Sequence, residues 1–94
     1  MTLFEGQVPD DREAALRDAF IENTSGPLPE GVHEMRLLRS PNVPGQWGIV
    51  TRWRSPQLLA AYREAADPPI EVLAFRGADI EPVETEYEVI TAEA

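Results

Sequence analysis

Two side chains of this sequence, those of His33 and Tyr62, could act chemically on a small organic molecule. His33 is the only histidine, and because an imidazole can take up a proton near neutral pH, His33 is a candidate general base. Tyr62 could hydrogen-bond to a phenolic substrate or protonate it. His33 and Tyr62 are therefore the predicted catalytic residues. The residues predicted to line a substrate pocket are Trp47, Trp53, Met35 and Phe20.

Each of these residues also has a structural interpretation, which the sequence leaves open. A lone histidine on a strand is often exposed, and a tyrosine on a helix face often directs its hydroxyl to solvent. Trp53 would then be a core aromatic residue that anchors a strand to the helix after it. Arg36, Arg39 and Arg52 could bind a carboxylate or an enolate oxygen, or they could form ion pairs only.

Several kinds of site are not predicted. The chain has no cysteine, which excludes disulfides, thiolate metal sites and cysteine nucleophiles. Ser25 and Ser55 occupy a turn and a helix start, without a Gly-x-Ser-x-Gly motif. Glu84, Glu86 and Glu88 would follow one another about 7 Å apart along a strand, too far to converge on one ion. We therefore predict neither a metal nor an organic cofactor.

Composition narrows the class of protein further. The 94 residues suit one domain, 1–94, and the net charge of −9 would repel a nucleic-acid backbone. All eight basic residues are arginine. No apolar run approaches the roughly 20 residues that span a bilayer. Met1 to Glu5 lacks the basic and apolar segments of a signal peptide, so we expect a cytoplasmic protein without membrane or nucleic-acid partners.

Apolar spacing and turn residues predict four strands and two helices. Asp10 or Asp11 can cap the first helix, and Ser55 followed by Pro56 begins the second. The closing segment alternates with a period of two, which is typical of a strand. The predicted strands are 2–8, 32–39, 46–53 and 83–91, the predicted helices are 11–22 and 56–66, and 70–76 is a helical or extended link.

The element order β-α-β-β-α-β predicts an α+β fold of the ferredoxin-like type, in which two helices cover one face of a four-stranded antiparallel sheet. A hairpin centred near residues 42–43 sets the register of its two strands. The predicted pairs are His33–Trp53, Met35–Thr51, Leu37–Ile49 and Arg39–Trp47 on the helix face, and Glu34–Arg52 on the other face. That other face would be a mixed, polar dimer interface.

Residues 37–62 contain, in order, a strand, a Pro/Gly turn, a strand ending in Thr51-x-Trp53, and a Ser-capped helix that carries Tyr62. The last predicted strand contains Glu86-Tyr87-Glu88-Val89. In these features the chain resembles the antibiotic-biosynthesis monooxygenase (ABM) family. The motif covers one stretch, whereas the element order covers nearly the whole chain.

The resemblance implies a homodimer that forms a dimeric α/β barrel, with a pocket between sheet and helices. The family includes cofactor-independent oxygenases that oxidise polycyclic phenols, as well as haem-degrading members. The haem-degrading pattern has a histidine after the second helix and an asparagine in the first strand. This chain has neither, so we do not expect it to bind haem.

The predicted function is a cofactor-independent monooxygenase that acts on a small aromatic or polyketide-type compound. Trp47, Trp53 and Tyr62 would line a dry pocket, and His33 would be the base. Two alternatives stay open. One is a non-catalytic small-molecule-binding or accessory dimer of the same fold, and the other is a structural dimer without a pocket.

Overall fold

The computed structural model describes residues 1–93. Its elements are β1 (Thr2–Gln7), a 3₁₀ turn (Asp10–Arg12), α1 (Glu13–Thr24), β2 (Val32–Arg39), β3 (Gln46–Trp53), α2 (Pro56–Ala65), α3 (Ile70–Arg76) and β4 (Val83–Glu86). The four strands form one sheet in the order β2-β3-β1-β4, with every neighbouring pair antiparallel. The predicted α+β class and ferredoxin-like arrangement are confirmed. None of the helices in the described chain is both long enough and apolar enough to cross a bilayer.

The register of the β2–β3 hairpin follows the prediction over most of its length. The confirmed pairs are Glu34–Arg52, Met35–Thr51, Leu37–Ile49 and Arg39–Trp47. A bulge between Val32 and Glu34 shifts the first pair, so that Val32 lies opposite Trp53. The predicted His33–Trp53 pair is therefore wrong, because a bulge leaves one residue of the longer strand without a partner.

The core lies between the sheet and a pair of packed helices, α1 and α3. Phe4, Ile49, Leu16 and Phe75 are its large, buried members. We predicted the segment 56–66 as the second covering helix, but α3 is the helix that packs beside α1, whereas α2 contacts the end of β3. The segment 70–76, for which the sequence left a helical or an extended structure open, is thus a helix that forms part of the core.

The starts of the first two helices differ in how they are stabilised. The predicted cap of α2 is confirmed, since the Ser55 hydroxyl accepts a hydrogen bond of 3.2 Å from the Leu58 N–H. The predicted cap of α1 by Asp10 or Asp11 is wrong. Both aspartates lie in a 3₁₀ turn that begins after Pro9, and α1 begins only at Glu13.

β4 is shorter than the predicted strand 83–91, and among the described residues it pairs with β1 alone, over four residues. Thr2 pairs with Glu86, and Met1 continues the ladder by accepting from the Tyr87 N–H at 2.7 Å. The residues after Tyr87 in the described chain are in neither a helix nor a strand, despite their alternating pattern.

Gly31, just before β2, is expected to be a sensitive position for substitution. Its φ is +92°, and a Cβ there would collide with the side chain of Leu58 on α2. We expect Gly31→Ala to lower the free energy of unfolding by about 1 to 3 kcal/mol. Gly26→Ala is the control, because a Cβ there meets nothing within 4 Å. Equal urea midpoints for the two variants would contradict the strain at Gly31.

Candidate functional site

A buried carboxylate, Glu71, lies where β3, α2 and α3 meet. The residue is 2 % exposed and stands in the first turn of α3. The Thr51 hydroxyl donates to Oε2 of Glu71 at 3.1 Å, and the Tyr62 hydroxyl donates to Oε1 at 3.2 Å. Each carboxylate oxygen therefore has a hydroxyl donor, which offsets part of the cost of removing the acid from water.

The Tyr62 hydroxyl is held from both sides. Its oxygen accepts a 2.7 Å hydrogen bond from the Ile70 N–H at the start of α3, while its proton is directed to Glu71. Because Ile70 and Glu71 are adjacent, the first turn of α3 fixes the position of the phenol oxygen. Tyr62 itself is half-buried, so its side chain extends from the surface of the protein to the buried carboxylate of Glu71.

The surroundings of Glu71 and Tyr62 raise the pKa of both side chains. Burial raises the pKa of the Glu71 carboxyl above its ordinary value of 4.5, although hydrogen bonds from its own N–H, Thr51 and Tyr62 oppose the shift. Burial, together with the nearby charge of Glu71, raises the pKa of Tyr62 to about 12. Tyr62 therefore stays protonated at neutral pH, and Glu71 is a stronger base than an exposed glutamate.

Trp53 and Tyr62, which the sequence analysis placed in one site, are in contact. Their ring centroids are 5.0 Å apart and their planes are inclined by 46°. The Trp53 indole N–H donates to the Thr2 hydroxyl at 3.4 Å. Trp53 thus contacts the Tyr62 ring from the side of the sheet. In the Thr51-x-Trp53 motif, Thr51 hydrogen-bonds to Glu71 and Trp53 contacts Tyr62.

Tyr62 also lines a cavity of about 280 Å³ on the surface between α2 and the loop before β2. We call it the Tyr62 cavity. Its lining residues are Pro29, Glu30, Leu58, Ala61, Tyr62 and Ala65. The walls are mainly apolar, and the size suits one or two aromatic rings. A molecule bound there would lie against Tyr62, whose hydroxyl donates to Glu71.

The other predicted pocket residues are not in this place. Trp47 and Trp53 stand at opposite ends of β3, about 20 Å apart at about 3.3 Å per residue. Trp47 and Phe20 line a separate cavity of about 330 Å³ beside α1. Met35 pairs with Thr51 on the sheet and packs against the core. The structure therefore does not bring the predicted pocket residues together in one pocket.

His33 is exposed at the bulge of β2. The bulge removes the predicted pairing of His33 with Trp53. Within residues 1–93, no hydrogen bond or ion pair joins His33 to Tyr62 or Glu71. The residue that accompanies Tyr62 in this structure is a carboxylate, not an imidazole.

The acidic residues of β4 form ion pairs. Glu84 lies 3.1 Å from Arg63 of α2, and Glu86 lies 2.8 Å from the same guanidinium. In the part of the chain that the structure describes, no group of three His, Cys, Asp or Glu side chains is placed to hold a metal ion. Glu84 and Glu86 are therefore ion-pair partners of Arg63.

Sequence reasoning missed Glu71. The signal that could have found it is helical spacing, since Glu71, Ala74, Phe75 and Ala78 recur on one face and all are buried. A single charged residue on an otherwise apolar face is uncommon unless it has partners. The two residues that hydrogen-bond to it, Thr51 and Tyr62, come from distant parts of the chain, which spacing alone does not reveal.

Comparison with known proteins agrees with this architecture. The sequence model of the antibiotic biosynthesis monooxygenase family matches residues 1–67, and the chain therefore belongs to this family. A crystal structure from Deinococcus radiodurans, of a protein provisionally described as an antibiotic biosynthesis monooxygenase, superposes with a TM-score of 0.72. The two chains are 15 % identical, over 100 % of this chain and 97 % of that one, which shows a shared fold. None of the curated proteins matches.

The family match ends between α2 and α3. Thr51, Trp53 and Tyr62 therefore lie inside the matched region, whereas Glu71 lies outside it. The carboxylate that completes the buried cluster thus comes from a segment outside the residues that the family model matches.

Proposed function

We propose that the protein is an oxygenase of the ABM type that oxidises a small aromatic or polyketide-type compound in the Tyr62 cavity. The observation that supports this proposal is the hydrogen bond between Tyr62, which faces the cavity, and the buried base Glu71. The reaction would use no organic cofactor. It requires only a bound phenol or enol, a proton acceptor and dioxygen.

Tyr62 and Glu71 would remove the proton from the substrate together. A substrate hydroxyl in the cavity gives its proton to the Tyr62 oxygen as the Tyr62 proton passes to Oε1 of Glu71, 3.2 Å away. The raised pKa of Glu71 favours its role as the final proton acceptor. The substrate is left as an electron-rich phenolate or enolate.

The anion would then react with dioxygen. One oxygen atom becomes a new carbonyl on the ring, the other leaves as water, and the substrate supplies all of the electrons, so a phenol becomes a quinone. Apolar walls beside the anion favour this step, because they shield part of it from the water that would protonate it again.

Replacement of Tyr62 by phenylalanine is the direct test of this function. The substitution keeps the ring that contacts Trp53 but removes the hydroxyl that relays the proton. With polycyclic phenols as substrates, we expect Tyr62→Phe to lower the rate of oxygen uptake and quinone formation by about 100-fold or more. An oxygen electrode and absorbance spectroscopy measure both quantities.

Two control variants sharpen the test. Tyr87→Phe makes the same chemical change at an exposed tyrosine, and His33→Ala removes the exposed imidazole. We expect both to retain wild-type turnover. Loss of activity in His33→Ala, with activity retained in Tyr62→Phe, would instead identify His33 as the general base. Saturable binding of phenols without any product would instead support a non-catalytic binding protein.

We propose further that the protein forms a homodimer through the sheet face opposite the helices. Leu38 and Val83 are 42 % and 70 % exposed on this face. Charged residues stand among them, including Glu34, whose carboxylate pairs with Arg36 at 2.7 Å and not with Arg52 opposite it. The face therefore mixes apolar and charged side chains, as the surface of many non-obligate interfaces does.

Leu38→Asp is expected to separate the dimer, because it would bury an unpaired charge in the interface. Light scattering after size-exclusion chromatography should give a mass near twice 10.5 kDa for the wild type and near 10.5 kDa for the variant. Leu28→Asp, at a loop residue of similar exposure (38 %), should remain dimeric. A wild-type monomer would refute the proposed interface.

A further inference from the structure

Trp47, at the start of β3, lies between two arginine side chains. The guanidinium carbons of Arg17 on α1 and Arg39 on β2 are each 5.6 Å from the centroid of its ring. Trp47 itself is only 3 % exposed. Two cations thus share one aromatic ring, and each is attracted to its π-face.

These residues line the second cavity, of about 330 Å³, which we call the Trp47 cavity. Its lining residues are Arg17, Phe20, Ile21, Leu37, Arg39 and Trp47. Apart from the two arginines, the lining is entirely apolar or aromatic. A flat aromatic molecule could therefore rest on the apolar part while a negative group meets the guanidiniums.

Neither guanidinium at this cavity has a close carboxylate partner among residues 1–93, a property that Arg52 and Arg54 share. Four other arginines form ion pairs with carboxylates at 3.1 Å or closer in the described chain (Arg12, Arg36, Arg63 and Arg76). Arg17 forms none among residues 1–93, and Arg39 has only a loose pair with Glu13, at 3.9 Å. In a chain with a net charge of −9, two arginines without close carboxylate partners at one cavity mark a local site for an anion.

Trp47 adds an unused hydrogen-bond donor. Its indole N–H is buried and has no acceptor within the described residues, unlike the Trp53 indole, which donates to Thr2. A buried donor without a partner costs free energy, and this donor belongs to a residue of the cavity lining.

We propose that the Trp47 cavity binds a planar aromatic carboxylate, with its ring against Phe20, Ile21 and Leu37 and its carboxylate on Arg17 and Arg39. Guanidiniums match the geometry of a carboxylate and form strong, charge-assisted hydrogen bonds with it. The site lies at the opposite end of β3 from Tyr62 and Glu71. It does not depend on the proposed oxygenase reaction.

Isothermal titration calorimetry with 2-naphthoate tests the proposal, with 2-naphthamide as a neutral probe of the same shape. We expect saturable binding of the naphthoate and at least about tenfold weaker binding of the amide. The double variant Arg17→Gln/Arg39→Gln should weaken naphthoate binding at least about tenfold as well. Arg76→Gln, at an exposed arginine paired with Glu81, should leave it unchanged.

Three results would overturn the proposal: no binding of naphthoate, equal affinity for the amide, or full affinity in the double arginine variant. Because both arginines are exposed, their replacement should not prevent folding, which circular dichroism checks. Naphthoate binding should also persist in Tyr62→Phe. Its loss there would place the carboxylate in the Tyr62 cavity and refute the separate site.

Discussion

Glu71→Gln is expected to abolish most of the turnover while making the protein more stable at neutral pH. Glutamine keeps the shape of the side chain and can still accept from the Tyr62 hydroxyl, but it cannot take up the proton. Loss of a general base commonly lowers a rate by about 100- to 10,000-fold. The same substitution removes a charge that is buried at 2 % exposure.

The gain in stability should depend on pH in a definite direction. The pKa of Glu71 is higher in the folded protein than its ordinary value of 4.5, so the folded state holds this proton more tightly than the unfolded state does. The wild type is therefore stabilised by this group below pH 4.5 and loses that stabilisation as the pH rises through the folded pKa. Glu71→Gln has no such loss.

Thermal unfolding of both proteins between pH 4.5 and 8 measures this effect. The difference in melting temperature should widen in favour of Glu71→Gln as the pH rises. Glu81→Gln is a control of opposite sign, because Arg76 lowers the pKa of the Glu81 carboxyl and its replacement should not stabilise the protein at neutral pH. A difference between wild type and Glu71→Gln that is constant with pH would show that Glu71 is not a destabilising buried charge.

Phe75→Ala should cause the largest loss of stability of any substitution considered. Phe75 is completely buried on α3 and lies in the core with Phe4, Leu16 and Ile49. Truncation of a buried phenylalanine costs about 3 to 5 kcal/mol, through lost apolar contact and the cavity left behind. A domain of this size has a total stability of only about 5 to 14 kcal/mol, so a large part would be lost.

Leu73→Ala is the matched control, since it truncates an apolar side chain on the same helix that is 39 % exposed. Its cost should stay below about 1 kcal/mol. Urea unfolding monitored by circular dichroism compares the two. Similar midpoints would mean that α3 does not pack on α1 as described and that it contributes little to the core.

The hairpin shows what could be predicted from the sequence. The short loop between β2 and β3 and the alternation of side chains determine the register, so four pairs were correct. The bulge at Val32–Glu34 could not be foreseen, because nothing in the local sequence distinguishes a bulged residue from a paired one. The short length of β4 is not apparent either, because the alternating pattern continues beyond its end.

α3 and the buried acid were harder to predict for a different reason. The segment Ile70–Arg76 is short and contains Ile, Val and Phe, which favour strands as much as helices, so periodicity does not decide between them. The site, in turn, brings together residues 51, 62 and 71 from three elements. Tyr62 and Trp53 were identified because a family motif carries them, whereas Glu71 required knowledge of how α3 packs.

The bulge in β2 also bears on how the protein avoids aggregation. β2 is an outer strand of the sheet, and an outer strand offers unpaired N–H and C=O groups to any extended chain that approaches it. The extra residue at His33 interrupts the regular row of these groups and twists the strand locally. A foreign strand could then add to only part of this edge, so the irregularity that removed His33 from its predicted pair protects the protein from uncontrolled strand-to-strand association.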